Sequence, residues 1–136
     1  LVRYRWHPGN ISQTKEENLR IAEVAIKKRQ LTRLGIDQNS ENAIYYVNAV
    51  CLKRKQSFED IKQTISASYE LLEKNKSIQF YNQKVFQKHI ERTILRTIRN
   101  AKKNNLSYFN YVKNESGYFS KIKFLDKAVL FFKCLF

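Results

Sequence analysis

Three glycines and one proline in 136 residues leave this chain few places to turn sharply. Gly supplies the left-handed backbone of tight turns, and Pro interrupts helices and sheet ladders, so a chain short of both favours long helices over many-stranded sheets. The capping patterns agree. Thr14-Lys15-Glu16-Glu17 is a T-x-x-E capping box, in which the hydroxyl accepts from an orphan amide and the Glu side chain reaches back. The helix it opens is expected to run through Leu34, with Gly35 as its left-handed stop. A second helix is expected from after Ser40 to Lys55, with Ala43, Ile44, Val47, Val50 and Cys51 on one side and Tyr45 and Leu52 opposite. A helix apolar on most sides belongs at the centre of a fold. Lys53, Arg54 and Lys55 crowd its last turn, where the helix dipole favours cations.

Ser57-Phe58-Glu59-Asp60 starts a third helix, expected to reach about Lys74, with Phe58, Ile61, Ile65, Tyr69 and Leu72 at the spacing of one buried face. Lys74 to Gln79 reads as a polar connection. A fourth helix follows from about Gln83 to Lys103, with Asn82 as N-cap and Asn104 and Asn105 marking its end. Beyond it, Ser107 to Lys113 is aromatic-rich, Asn114 to Gly117 is a turn signal, and Tyr118 to Phe124 partly alternates apolar residues with Lys. That pattern predicts a short β-hairpin, with a broken helix as the alternative. Leu125 to Phe136 is apolar enough to dock as a final helix, with Val129, Phe132 and Phe136 at helical spacing. The fold class expected is mainly α: a compact bundle of four or five helices around the second one, in a winged-helix-like variant if the C-terminal β-hairpin forms. Residues 1–136 read as a single basic domain with an extended arm over 1–13.

The chain carries 26 Lys and Arg against 12 Asp and Glu, a formal net charge of +14. Its 43% hydrophobic and 13% aromatic content is too rich for a disordered basic tail. The longest apolar run, Ala128 to Phe132, falls far short of the ~20 residues that span a bilayer. There is no Met, even at position 1, which suits a processed chain or one cut from something longer. Nothing of signal-peptide type opens it. Abundant Lys, Asn, Ile, Tyr and Phe suggest a low-GC coding genome, an organelle or a mobile element. Cys51 and Cys134 stand alone, without a C-x-x-C, which fits two buried thiols in a reducing setting such as cytoplasm, nucleoid or an organellar interior.

The fourth helix says most about function. At about 100° per residue, Phe86, Ile90, Ile94, Thr97, Ile98 and Ala101 fall on one arc, while Lys84, Lys88, Arg92, Arg96, Arg99, Lys102 and Lys103 fall on the other. Glu91 alone interrupts the positive arc. Like charges at i, i+4 destabilise an isolated helix by a few tenths of a kcal/mol per pair. Lys88–Arg92, Arg92–Arg96 and Arg99–Lys103 all incur that penalty, so a polyanion is the natural counterpart. An ordinary solvated face is the alternative, although such faces usually mix signs. DNA admits such a helix in its major groove, whereas A-form RNA would be tracked along its backbone. A membrane would need bulky apolar residues beside the cations, and this helix separates the two.

Secondary contacts are expected from Arg3, Arg5 and Trp6, where cations and stacking side chains alternate as for unpaired bases. Packing of the same arm onto the core is the alternative. The order of third helix, connection, basic helix and hairpin resembles the winged helix-turn-helix plan, in which Lys113, Lys121 and Lys123 would touch flanking backbone. The cluster Lys27-Lys28-Arg29 with Arg33 is accounted for by the dipole of the first helix. Enzyme readings find little support. His7 and His89 are the available neutral-pH proton carriers, no His/Cys cluster has zinc spacing, and no phosphate-cradling or nucleophile motif occurs. No cofactor or metal is expected. The sequence therefore predicts a non-catalytic nucleic-acid-binding domain, with DNA favoured over RNA and replication or regulation as the setting. The alternatives are a small basic component of an RNA–protein assembly, such as an organellar ribosomal protein, and an adaptor for an acidic protein partner.

Overall fold

A computed structural model describes residues 16–51, 56–102 and 105–135 of the chain. Six helices appear, one more than the bundle of four or five expected: α1 (Glu16–Arg33), α2 (Glu41–Cys51), α3 (Phe58–Ile78), α4 (Gln83–Arg99), α5 (Leu106–Asn114) and α6 (Phe124–Leu135). A 3-10 turn, Phe119–Lys121, links the last two. The Thr14 capping box and the arm over 1–13 lie outside the described residues.

α1 stops where the sequence places its stop. Gly35 takes φ 68°, its N–H donates to Thr32 O at 3.0 Å, and the Ile36 N–H donates to Leu31 O at 3.1 Å. This is a Schellman motif, and its hydrophobic clasp is Leu31 with Ile36, both buried. Ser40 caps α2 by accepting from the Ala43 N–H at 3.3 Å. The buried stripe of α2 is rotated from the expected one: Tyr46 and Ala49 join Ala43, Val47 and Cys51, while Ile44 is 44% exposed. The cause is tertiary, since α2 packs against α1, α3 and α4 at once.

Ser57 opens α3 with a complete capping box. Its Oγ accepts from the Asp60 N–H at 3.2 Å, and Asp60 Oδ2 accepts from the Ser57 N–H at 3.0 Å. The core side of α3 is Ile61, Thr64, Ile65, Ala67, Ser68 and Leu71. Thr64 and Ser68 are satisfied by donating to the carbonyls of Asp60 and Thr64, both at 2.7 Å. α3 does not end near Lys74 but continues to Ile78. Asn75 explains the difference. Its fully buried amide donates to Tyr81 O at 3.0 Å and Gln83 Oε1 at 2.6 Å, and accepts from the Tyr81 N–H at 2.8 Å. A stretch that reads as a polar connection is thus a helix end stitched to the next helix. Gln79, in the left-handed region at φ 55°, makes the turn.

α4 begins at the expected cap, Asn82, whose side chain accepts from the Val85 N–H at 3.2 Å. It ends at Arg99 rather than Lys103. Ala101, which is buried, pairs with Gln56 in an isolated parallel bridge, and the Lys102 N–H donates to Gln56 O at 2.9 Å. Asn105 does not mark the end of α4; it caps α5, accepting from the Tyr108 N–H at 3.1 Å.

The predicted β-hairpin is absent: the described residues contain no strand. Tyr108 and Val112 are fully buried while Asn110 between them is exposed, the pattern of a helix, since a pleat would turn all three to one side. Ser116 Oγ turns back to donate to Val112 O at 2.7 Å, and Gly117 takes φ 70°. Tyr118 and Ile122 then bury themselves across the 3-10 turn. α5 joins the core through Tyr108, whose hydroxyl donates to Ile98 O at 3.1 Å and whose ring meets Phe58 edge-on at 5.3 Å. α6 does form a terminal helix, but it docks through the side opposite the one expected. Leu130 and Cys134 are buried, while Val129 is 53% and Phe132 57% exposed. Phe136 lies outside the described residues. None of the described helices is long and apolar enough to cross a membrane.

Candidate nucleic-acid interface

The two-sided pattern of α4 holds in three dimensions. Ile90, Thr93, Ile94, Thr97 and Ile98 are buried and Phe86 is half-buried, while Lys84, Lys88, Arg92, Arg96 and Arg99 stand exposed. The five cations are not equivalent, because neighbouring elements recruit two of them. Arg96 Nη2 donates to Val50 O at 3.2 Å and Ala49 O at 3.4 Å. It supplies a cation to the carbonyl end of α2, while Lys53, Arg54 and Lys55, expected in the last turn, lie outside the described residues. On the other flank, Arg99 pairs with Asp126 of α6, and Lys133 Nζ donates to Arg99 O at 3.4 Å. Half-buried Leu95 sits inside the basic arc on this side.

Lys84, Lys88 and Arg92 remain as a row one turn apart, none with an ion pair among the described residues. Glu91, which interrupts the charge in the sequence, pairs with Lys121 rather than with the row, although its charge also acts on Lys88. Its carboxylate accepts from Lys121, and that bond, ahead of the opposing effect of burial, holds it below the usual carboxylate range. Lys121 also lies over the Tyr118 ring at 5.4 Å. Of the other expected contacts, Lys102 lies past the helix end with its backbone held to Gln56. Lys113 is exposed on α5, and Lys123 is exposed just before α6. Lys113, Lys121 and Lys123 occupy no wing, since the hairpin that would carry them does not form. Lys103, Arg3, Arg5 and Trp6 lie outside the described residues.

The sequence gives no hint that Lys27 of α1 approaches this helix. His89 is held below its ordinary value first by burial and then by the charges of Lys27, Arg96 and Arg92, so cations of both α1 and α4 act on one imidazole. Arg33, from the same basic stretch as Lys27, lies over the Phe80 ring at 5.9 Å. Dipole complementarity alone does not describe either residue. Among the described residues no group of three or more His, Cys, Asp or Glu is placed to hold a metal ion.

Compared with protein-family models, curated proteins and solved structures, the chain finds no match in any of the three.

Proposed function

We propose that the chain is a non-catalytic nucleic-acid-binding domain that lays the Lys84–Lys88–Arg92 row of α4 along a phosphate backbone. The observation carrying this reading is the uneven pairing of charges around α4. Glu91 and Asp126 pair with other cations, Lys121 and Arg99, while Lys84, Lys88 and Arg92 form no ion pair among the described residues. Lys88 and Arg92 repel each other at i, i+4 spacing, and an external polyanion removes that penalty. DNA is favoured over RNA because a straight basic helix enters the major groove of B-form DNA but not that of an A-form duplex. The Gln79–Asn82 link between α3 and α4 has the length, about three to four residues, that joins the two helices of a helix-turn-helix. The N-terminal turns of the second helix, where Lys84 and Lys88 lie, then face the groove. Replication or regulation in a low-GC genome or mobile element is the setting this reading implies.

One observation favours a second reading, a component of a larger RNA–protein assembly. α6 turns Phe124, Leu125, Val129, Phe132 and Leu135 outward, and contiguous exposed apolar surface usually marks a contact. The test is a binding titration of duplex DNA, single-stranded DNA and structured RNA against the chain and its Lys84→Gln/Lys88→Gln/Arg92→Gln variant. Tight binding to duplex DNA that is lost in the folded variant supports the first reading, and preference for structured RNA supports the second. Nuclease-resistant binding to an acidic protein would instead make the chain an adaptor.

A further inference from the structure

Beside the basic row, α1 to α4 and the α3–α4 link line a half-open cavity of about 340 Å³, inside the ~300–1,000 Å³ range of small-ligand sites. Its apolar lining comes from Leu31 of α1, Leu34 just past its end, Leu71 of α3 and Phe86 of α4, and Tyr46 and Tyr81 add aromatic rings. Tyr81 and Phe86 stack with centroids 5.1 Å apart and planes 15° from parallel. Against this wall stand a few polar groups: Lys27, Gln30, Asn82 and His89. Lys27 Nζ donates to Gln30 Oε1 at 3.2 Å and has no ion pair among the described residues. Glu23, one turn earlier on α1, therefore leaves that ammonium available. The Asn82 oxygen is taken by the Val85 N–H at 3.2 Å, which leaves its amide nitrogen to donate elsewhere. His89, neutral near pH 7 because burial and the surrounding cations disfavour its charged form, offers one donor and one acceptor.

We propose that this cavity receives a single unpaired nucleobase of the nucleic acid bound along α4, with the adjoining phosphate at Lys27. The inference rests on the nucleic-acid reading and narrows its ligand to one with an unpaired base. Size permits it: about ten water-sized groups at ~30 Å³ each fit within the volume, and the roughly ten non-hydrogen atoms of a base, being bonded to one another, need less. Chemistry agrees as well. Extruded bases are recognised by aromatic walls against their faces and hydrogen-bonding side chains at their edges. An acyl chain would fill the same apolar volume but make no use of the Asn82 amide nitrogen, the His89 ring nitrogens or the Lys27 ammonium at its rim. Val85 and His89, each next in sequence to a lysine of the row, line the cavity, and at about 100° per residue its rim lies roughly a quarter-turn of α4 from the row, within reach of a base extruded from a strand that the row holds.

The test compares a plain DNA hairpin with the same hairpin carrying 2-aminopurine as a single-base bulge, titrated against the full chain. The bulged hairpin is expected to bind roughly tenfold tighter, within what one stacked base contributes, with a change in 2-aminopurine emission on binding. Val85→Trp places a large side chain at the cavity from a position that is 67% exposed. It is expected to abolish the bulge preference and leave plain-hairpin affinity intact. Lys27→Gln, which keeps the core untouched, is expected to narrow the preference, and Glu23→Gln to widen it. Equal affinity for the two hairpins, or a preference that survives both Val85→Trp and Lys27→Gln, overturns the cavity while the nucleic-acid reading stands. Binding to neither hairpin overturns both.

Discussion

At the scale of single residues, the basic arc of α4 divides into cations that hold the fold and cations left for a ligand. Lys88→Gln and Arg92→Gln are expected to weaken nucleic-acid binding without lowering stability, and relief of their mutual repulsion should raise it slightly. Arg96→Gln removes the donors to Ala49 O and Val50 O and is expected to cost about 0.5–1.5 kcal/mol. Arg99→Gln breaks an exposed pair with Asp126, worth ~0.2–1 kcal/mol. Denaturant melts of the four single variants check this division, and equal destabilisation by Arg92→Gln and Arg96→Gln would contradict it. His89 gives a pH signature. Its folded value lies below the ordinary 6.5 because of burial first and then Lys27, Arg96 and Arg92. Between the two values the unfolded chain binds more protons, so stability rises with pH. The contribution is full above about 6.5 and lost as pH falls through the folded value. His89→Gln is expected to flatten the fall in stability between neutral and mildly acid pH. Bound phosphate should raise the folded value by offsetting those cations, which an NMR titration of the imidazole would read.

At the scale of elements, helix ends decide most of the architecture. Ser57→Ala removes one half of a complete capping box and is expected to cost about 1 kcal/mol. Gly35→Ala places a Cβ where φ is 68°, at about 1–2 kcal/mol, although Ile78 Cδ1 at 3.4 Å leaves room for it. Asn75→Ala strands the buried backbone of Tyr81, at about 1–3 kcal/mol, and should exceed both in a thermal melt because it unties α3 from α4. The caps at Ser57 and Asn82 and the stop at Gly35 were legible in the sequence because each is a local pattern of four or so residues. The two arcs of α4 were legible because a 3.6-residue period survives any packing. Asn75 and Asn105 were not, since an Asn that stitches two helices looks the same as one that ends a helix. Nor were Arg96 and Arg99, whose partners lie 46 and 27 residues away. The expected hairpin, which does not form, has a similar cause: aromatic residues serve strands and helices alike, a spacing of four such as Tyr108 to Val112 suits both, and the acceptor that Ile98 offers Tyr108 lies outside the segment. α6 docks through Leu130 and Cys134 beside Asp126 and Lys133, which reach Arg99 of α4, so its polar residues border the docked side and its apolar periodicity points the other way.

At the scale of the whole molecule, a net charge of +14 would attract polyanions whatever the fold, so the question is whether α4 concentrates that attraction. The structure gives many cations internal work. Lys62 lies over the Phe58 ring at 4.6 Å and Lys127 over Phe119 at 4.7 Å, while Arg96, Arg99, Lys121 and Lys133 bond to neighbouring helices or turns. Counterion release separates a concentrated interface from a diffuse one. On duplex DNA the slope of log affinity against log salt is about −0.9 per phosphate neutralised. A row of Lys84, Lys88 and Arg92 therefore predicts a slope near −3, and the Lys88→Gln/Arg92→Gln variant should retain a slope near −1. A slope two or three times steeper that scarcely changes in the variant would mean that the whole basic surface binds and that α4 has no special part. A shallow slope with tight binding would move the weight to uncharged contacts, of which the outward side of α6 is the largest apolar example. Parallel titrations of the two proteins across the same salt range distinguish these cases, because each predicts a different pair of slopes.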